Sequence, residues 1–240
     1  MTRMKTKNDG RSGTLARQTE ATFPTSTDRE IAAFVAKAKR SAATGRIIFA
    51  MDATMSRQPT WDRAVHLQSR MFAAIDRAAS LDVQLVYFRG FRECRASRWV
   101  SDSEGLRVLM ERIDCRGGHT QIRKVLTHAA KESDRARVSA LVLVGDAMEE
   151  RVDDLADAAG RLGMLGTRCF MFQEGRDPAA ERAFREMARL SGGAYSRFDS
   201  GSADRLGELL GAVAAYSTGG LAALERHGRE GRKLLEQMDR

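Results

Sequence analysis

The chain has 240 residues, 42% of them hydrophobic, which is enough for one ample domain with appendages. Its three cysteines, Cys94, Cys115 and Cys169, form no C-x-x-C pair, so they argue against a disulfide framework and a zinc site and for a reducing cytoplasm. A formal charge of +8 and a pI near 9.8 permit encounters with polyanions, no apolar run approaches the ~20 residues of a bilayer span, and the start, MTRMKTKNDGRSG, lacks the apolar core of a secretory signal.

Residues 1–27 are rich in Thr, Ser, Lys and Arg, with Arg3, Lys5, Lys7, Arg11 and Arg17 among them. They carry too little apolar surface to offset ordering entropy, and a disordered basic tail is expected. Over residues 28–43, Ile31, Phe34, Val35 and Ala38 recur at helical spacing behind a cap at Thr27 or Asp28, which predicts a docking helix. The apolar run Ile47–Met51 then predicts a strand buried on both faces, as in a parallel sheet. It stops at Asp52, Thr54 and Ser56. In an extended chain their i, i+2, i+4 spacing points three oxygens the same way, at the strand end where open α/β sheets place ligands.

Pro59-Thr60 reads as a turn and cap for a helix through Trp61, Ala64, Val65, Met71 and Phe72 to about Ala79. Val83–Phe88 predicts a second strand and, after a tight turn at Gly90, Arg95–Val100 a third, antiparallel at the edge. Phe88, Phe91 and Trp99 alternate here with Arg89, Arg92, Arg95 and Arg98, a pattern suited to nucleic acid or to an arginine-protected sheet edge. A helix over residues 104–114 is interrupted by Gly117-Gly118-His119-Thr120. Thr120 reads most simply as the N-cap of the next helix, Gln121 to about Glu132.

Val138–Val144 is another apolar run with an abrupt polar end, Gly145-Asp146. Beyond it come a helix with Leu155, Ala159 and Leu162, a strand Thr167–Phe172, a helix opened by Asp177-Pro178, a strand Ala194–Phe198 and a helix to about Tyr216. Strands alternating with helices imply an α/β domain over residues 44–217, with a mostly parallel sheet covered on both faces. Residues 218–240 form a charged helical extension interrupted by Gly228 and Gly231.

Three strand or loop ends thus offer hard oxygen ligands toward one edge of the sheet: Asp52, Thr54, Ser56, Thr120 and Asp146. Two carboxylates and three hydroxyls suit Mg²⁺ or Mn²⁺ and suit zinc poorly. Two carboxylates only balance a divalent ion, so the metal can still accept an acidic oxygen from a partner protein.

This set resembles the metal-ion-dependent adhesion site of von Willebrand factor type A domains. The family's D-x-S-x-S motif is matched by Asp52-Ala53-Thr54-Met55-Ser56, its threonine loop by Gly117-Gly118-His119-Thr120, and its last aspartate by Gly145-Asp146-Ala147, where the family usually has T-D-G. The resemblance implies a Rossmann-like, doubly wound sheet of six strands with a divalent metal at its upper edge, and partner binding through that metal rather than catalysis. Intracellular members are often accessories to larger assemblies, AAA-type ATPase systems included, and a stand-alone domain with a basic tail is similar to bacterial members.

A rival class is the haloacid-dehalogenase-like, Mg²⁺-dependent phosphohydrolase. Asp52-x-Thr54 resembles its nucleophile motif, Gly145-Asp146 through Glu150 its acidic motif, and Lys124 its phosphate-holding lysine. That reading leaves Ser56 and Gly118-His119-Thr120 unused. No phosphate loop, dinucleotide fingerprint or G-x-S-x-G elbow occurs, and His66, His119, His128 and His227 show no ligand spacing with the cysteines.

Overall fold

The computed structural model describes residues 44–74, 79–199 and 203–238; the expected basic tail and the docking helix over 28–43 lie outside the described residues. The described elements are β1 (Thr44–Asp52), a 3₁₀ turn (Met55–Arg57), α1 (Gln58–Leu67), α2 (Ser69–Ala73), β2 (Ser80–Arg89), β3 (Glu93–Val100), α3 (Ser103–Met110), α4 (Ile122–Arg135), β4 (Ala140–Gly145), α5 (Val152–Met164), β5 (Arg168–Glu174), α6 (Pro178–Ser191), β6 (Ala194–Phe198), α7 (Ala203–Arg226) and α8 (Gly228–Met238). The strands form one sheet in the order β3-β2-β1-β4-β5-β6. All neighbours run parallel except β2 and β3, whose antiparallel pairing makes β3 the odd edge strand.

The apolar runs are continuous because both faces of the sheet are covered. Ile47, Phe49 and Met51 of β1, with Val142, Val144, Phe170 and Phe172, face a core completed by α1, α2, α3, α7 and α8. Ile48 and Ala50, with Leu141, Leu143, Cys169 and Met171, face a second core under α4, α5 and α6. Each alternate residue therefore removes apolar area from water on its own side, at roughly 25 cal/mol per Å².

Helix ends follow local chemistry in some places and not in others. Asp177 caps α6 by accepting from the Ala180 N–H at 2.6 Å, and Asp102 caps α3 by accepting from Gly105 at 2.7 Å. Pro59-Thr60 does not form a turn and cap. α1 already begins at Gln58 with Pro59 in its first turn, and the Thr60 hydroxyl reaches the buried Glu174 carboxylate instead. α7 is interrupted at Gly220, whose φ of 67° turns the chain where a side chain would be strained.

β6 has β5 on one side only. On its free side the Gln237 amide of α8 imitates a strand: its Oε1 accepts from the Tyr195 N–H at 3.0 Å and its Nε2 donates to the Tyr195 carbonyl at 3.1 Å. Among the described residues, no helix is long and apolar enough to cross a membrane.

Candidate metal centre

The strand register assembles the site. Met51 lies opposite Val144 and Gly145 opposite Gln173, so β1, β4 and β5 end side by side and place Asp52, Asp146 and Glu174 along one edge. Beyond Asp52 the chain is not extended. Asp52 Oδ1 accepts the Thr54 N–H at 2.8 Å, an Asx turn, and the Arg57 N–H then closes a 3₁₀ turn onto the Thr54 carbonyl at 2.9 Å. This double turn, rather than the strand spacing expected from the sequence, brings the oxygens together. Thr54 Oγ1 lies 3.3 Å from Ser56 Oγ, which donates to Asp146 Oδ2 at 3.4 Å.

Both spacings are long for hydroxyl hydrogen bonds, whose usual length is about 2.7–2.8 Å. Neighbouring oxygens around a Mg²⁺ ion, each about 2.0–2.1 Å from it, sit about 3 Å apart, so the spacing suits shared coordination at least as well as mutual bonding. Asp52 is only 2% exposed. Burial pushes its carboxyl up to about 6; the Thr54 hydrogen bonds oppose that shift, the Asp146 charge adds to it and the Arg57 charge reduces it. A divalent cation would relieve both the desolvation and the repulsion. No cluster of three or more His, Cys, Asp and Glu side chains is placed to hold a metal among the described residues, so any metal centre here rests on a mixed set of hydroxyls and carboxylates.

Thr120 sits differently from the expectation of an N-cap. α4 starts at Ile122, and its free N–H groups are taken by a distant carboxylate: Glu150 accepts from Ile122 at 2.5 Å and from Arg123 at 3.0 Å. The Thr120 hydroxyl instead accepts the Glu149 N–H at 3.1 Å, while Glu149 Oε2 accepts the Thr120 N–H at 3.2 Å and bonds His119 Nδ1 at 2.8 Å. Thr120 is thereby fixed to the loop that carries Asp146. Among the described residues its hydrogen bonds run to Glu149 and not to Asp52, Thr54 or Ser56.

The loop before Thr120 is pinned at both ends. The Arg116 N–H donates to the Ala53 carbonyl at 2.9 Å and the His119 N–H donates to the Gly90 carbonyl at 3.2 Å. A Cβ on Gly118 would lie 2.1 Å from that Gly90 oxygen, so only glycine lets the loop and the hairpin tip approach so closely. Phe91, 76% exposed at the tip, meets the His119 ring edge-on at 5.3 Å.

Sequence reasoning missed Arg57 and Glu174. Arg57 follows the first motif directly and is 2% exposed; it pairs with the buried Glu174 and lies 3.8 Å from Asp146 Oδ2. Arg63 reaches Glu174 from the other side at 3.4 Å. These groups and Ser56, Thr60 and Asp199 line a cleft of about 330 Å³ next to the candidate ligands. The sequence did hold a signal for Glu174. It ends an apolar run just before a glycine, as Asp146 follows a run that ends in glycine.

The rival arrangements find less support. Lys124 Nζ donates to the Arg92 carbonyl and to Gln121 Oε1, and Glu150 is engaged in capping α4, so neither is directed at Asp52. In the arginine-aromatic segment, Phe88 is buried and Trp99 is covered by the Arg46 guanidinium at 3.9 Å while donating to Glu132. Phe91 alone of those three rings is fully presented for stacking.

No protein-family model matches the sequence, and no curated protein matches it. Solved structures do match. Proximal thread matrix protein 1 from the mussel byssus, in a form with a zinc-occupied MIDAS motif, is 14% identical with a TM-score of 0.57, covering 72% of this chain and 46% of that one. An aerotolerance-related membrane protein from Bacteroides fragilis is 18% identical with a TM-score of 0.53, covering 69% and 96%. Manganese-loaded TRAP protein from Plasmodium vivax is 14% identical with a TM-score of 0.51, covering 69% and 72%. The chain thus spans a little under half of the byssus protein and nearly all of the bacterial one. Likeness at such identities speaks for the fold alone, and the six-stranded, Rossmann-like sheet of this chain is consistent with the fold of the von Willebrand factor type A domain.

Proposed function

We propose that the carboxyl edge of this sheet holds Mg²⁺ or Mn²⁺ through Asp52, Thr54, Ser56, Thr120 and Asp146, and that the ion binds a Glu or Asp of a protein partner. The observation that carries this reading is the gathering of Thr54, Ser56 and Asp146 oxygens at 3.3 and 3.4 Å beside a buried Asp52. Oxygen ligands of this kind favour hard divalent ions, and a manganese-loaded and a zinc-occupied neighbour of the same fold support a divalent cation. The protein would act as an interaction module, not a catalyst, in a larger intracellular assembly, with an AAA-type ATPase system as the partner class.

Thermal melting with Mg²⁺, Mn²⁺ or chelator tests the metal. An ion that binds only the folded state stabilises it by about 2.7 kcal/mol at a hundred times its Kd, which raises Tm by several degrees. Asp52→Ala and Asp146→Ala should abolish the rise. A wild-type shift retained in both variants would remove the site from consideration. For the partner, affinity capture with and without EDTA should show a protein retained only with metal and lost from the Asp146→Ala bait.

A further inference from the structure

Arg57 is an unusual neighbour for a metal. Arginine is rarely fully buried unless paired, yet Arg57 is 2% exposed, and its Nε and Nη2 are buried without hydrogen-bond partners among the described residues. Among the described residues its close hydrogen-bond partner is Glu174, 7% exposed, which also accepts from Thr60 and Arg63. Asp146 lies 3.8 Å away, too far for a hydrogen bond but close enough for strong attraction at reduced dielectric.

The charges can be balanced. Asp52, Asp146, Glu174 and Asp199 oppose Arg57 and Arg63, leaving two negative charges along the edge. A divalent ion cancels them, and the neutral edge admits an incoming carboxylate. Without Arg57 the edge would keep one negative charge with the metal bound and would repel the carboxylate.

We propose that Arg57 is a resident cation that couples the two ligands: it weakens metal binding to the free protein and makes tight metal binding depend on an acidic ligand. This rests on the metal reading above. Glu174 sets the strength of the effect by partly neutralising Arg57 at contact distance, while Asp146 acts on it from 3.8 Å and the Arg57 Nε and Nη2 find no hydrogen-bond acceptor among the described residues. Because coupling between two ligands is reciprocal, the same guanidinium makes capture of the acidic ligand depend on the metal.

Calorimetric titration of the whole chain with Mn²⁺, in acetate and in chloride of equal ionic strength, tests the proposal. Arg57→Gln should bind Mn²⁺ about tenfold more tightly than wild type in chloride and gain less from acetate. Glu174→Gln, which keeps the shape but frees the Arg57 charge, should bind Mn²⁺ about tenfold more weakly, with acetate restoring much of the loss. A merely structural role for the pair would weaken binding in both variants without acetate rescue, and that result overturns the proposal. If Arg57→Gln does not fold, Glu174→Gln decides alone: unchanged affinity, or a loss that acetate does not repair, also overturns it. Failure of the metal reading looks different, because wild-type protein would then show no Mn²⁺ binding that Asp146→Ala removes, and both ideas would fall together.

Discussion

Asp52 is the residue at which structure and chemistry bear hardest on each other. Its carboxyl is raised from 3.8 to about 6 chiefly by burial, so between those values the folded chain holds a proton that the unfolded chain has released. The contribution of Asp52 to the stability of the metal-free protein should therefore fall as pH rises from about 4 through 6 and then level off, a loss on the order of 3 kcal/mol that the lowered carboxyls of Glu93, Glu132 and Glu230 partly offset at the acidic end. Asp52→Asn removes the charge and keeps the shape. In chelator at pH 7 it should melt several degrees above wild type and lose this pH slope, whereas excess Mn²⁺ should reverse the order. Melting curves across this pH range check the claim, and superimposable wild-type and variant profiles in chelator would refute it. Arg57 and Glu174 escaped the sequence reading for a reason at the same scale. Charged residues are expected at the surface, and nothing within a few positions of either one reveals a partner more than a hundred residues away.

At the scale of elements, local signals succeeded where the competing interactions were also local. The alternation of β1, β2, β4, β5 and β6 with helices, the antiparallel β3 and the cap at Asp177 could all be read from neighbouring residues. Thr120 could not, because Glu150 arrives from the loop after β4 to take the first N–H groups of α4 and leaves Thr120 for Glu149. Ser56 is similar: its approach to Asp146 depends on an Asx turn and a 3₁₀ turn that the strand periodicity does not contain. The glycine before His119 does have a readable purpose once the hairpin is in place. Gly118→Ala would drive a Cβ into backbone at Gly90, and the variant should lose about 1–3 kcal/mol in urea unfolding. Wild-type stability in Gly118→Ala would mean that the loop gives way freely.

For the whole molecule, the sheet has two edges closed by different means. β3 is an edge strand with Arg95 largely exposed, a charge that disfavours further pairing, whereas β6 is closed by the Gln237 amide of α8, a helix that buries its own Leu234 and Met238. Gln237→Ala should cost about 1–3 kcal/mol, the sum of two modest hydrogen bonds, and speed amide exchange at Tyr195 without altering the response to Mn²⁺. Hydrogen exchange reads this directly, and unchanged protection at Tyr195 would show that α8 guards the edge without the amide. The loop of residues 116–119 has a consequence of another kind. It is hydrogen-bonded to Ala53, just past the end of β1, and to the hairpin at Gly90, so the chain beside Asp52 and the exposed ring of Phe91 are linked through one short loop. Cys115 and Cys169 are buried and Cys94 is half-buried, which leaves a thiol introduced at position 91 as the accessible handle. A dye attached there would sit outside the ligand set yet beside the loop that carries Thr120, so a change of its emission on adding Mn²⁺ would report whether occupancy reaches the hairpin tip.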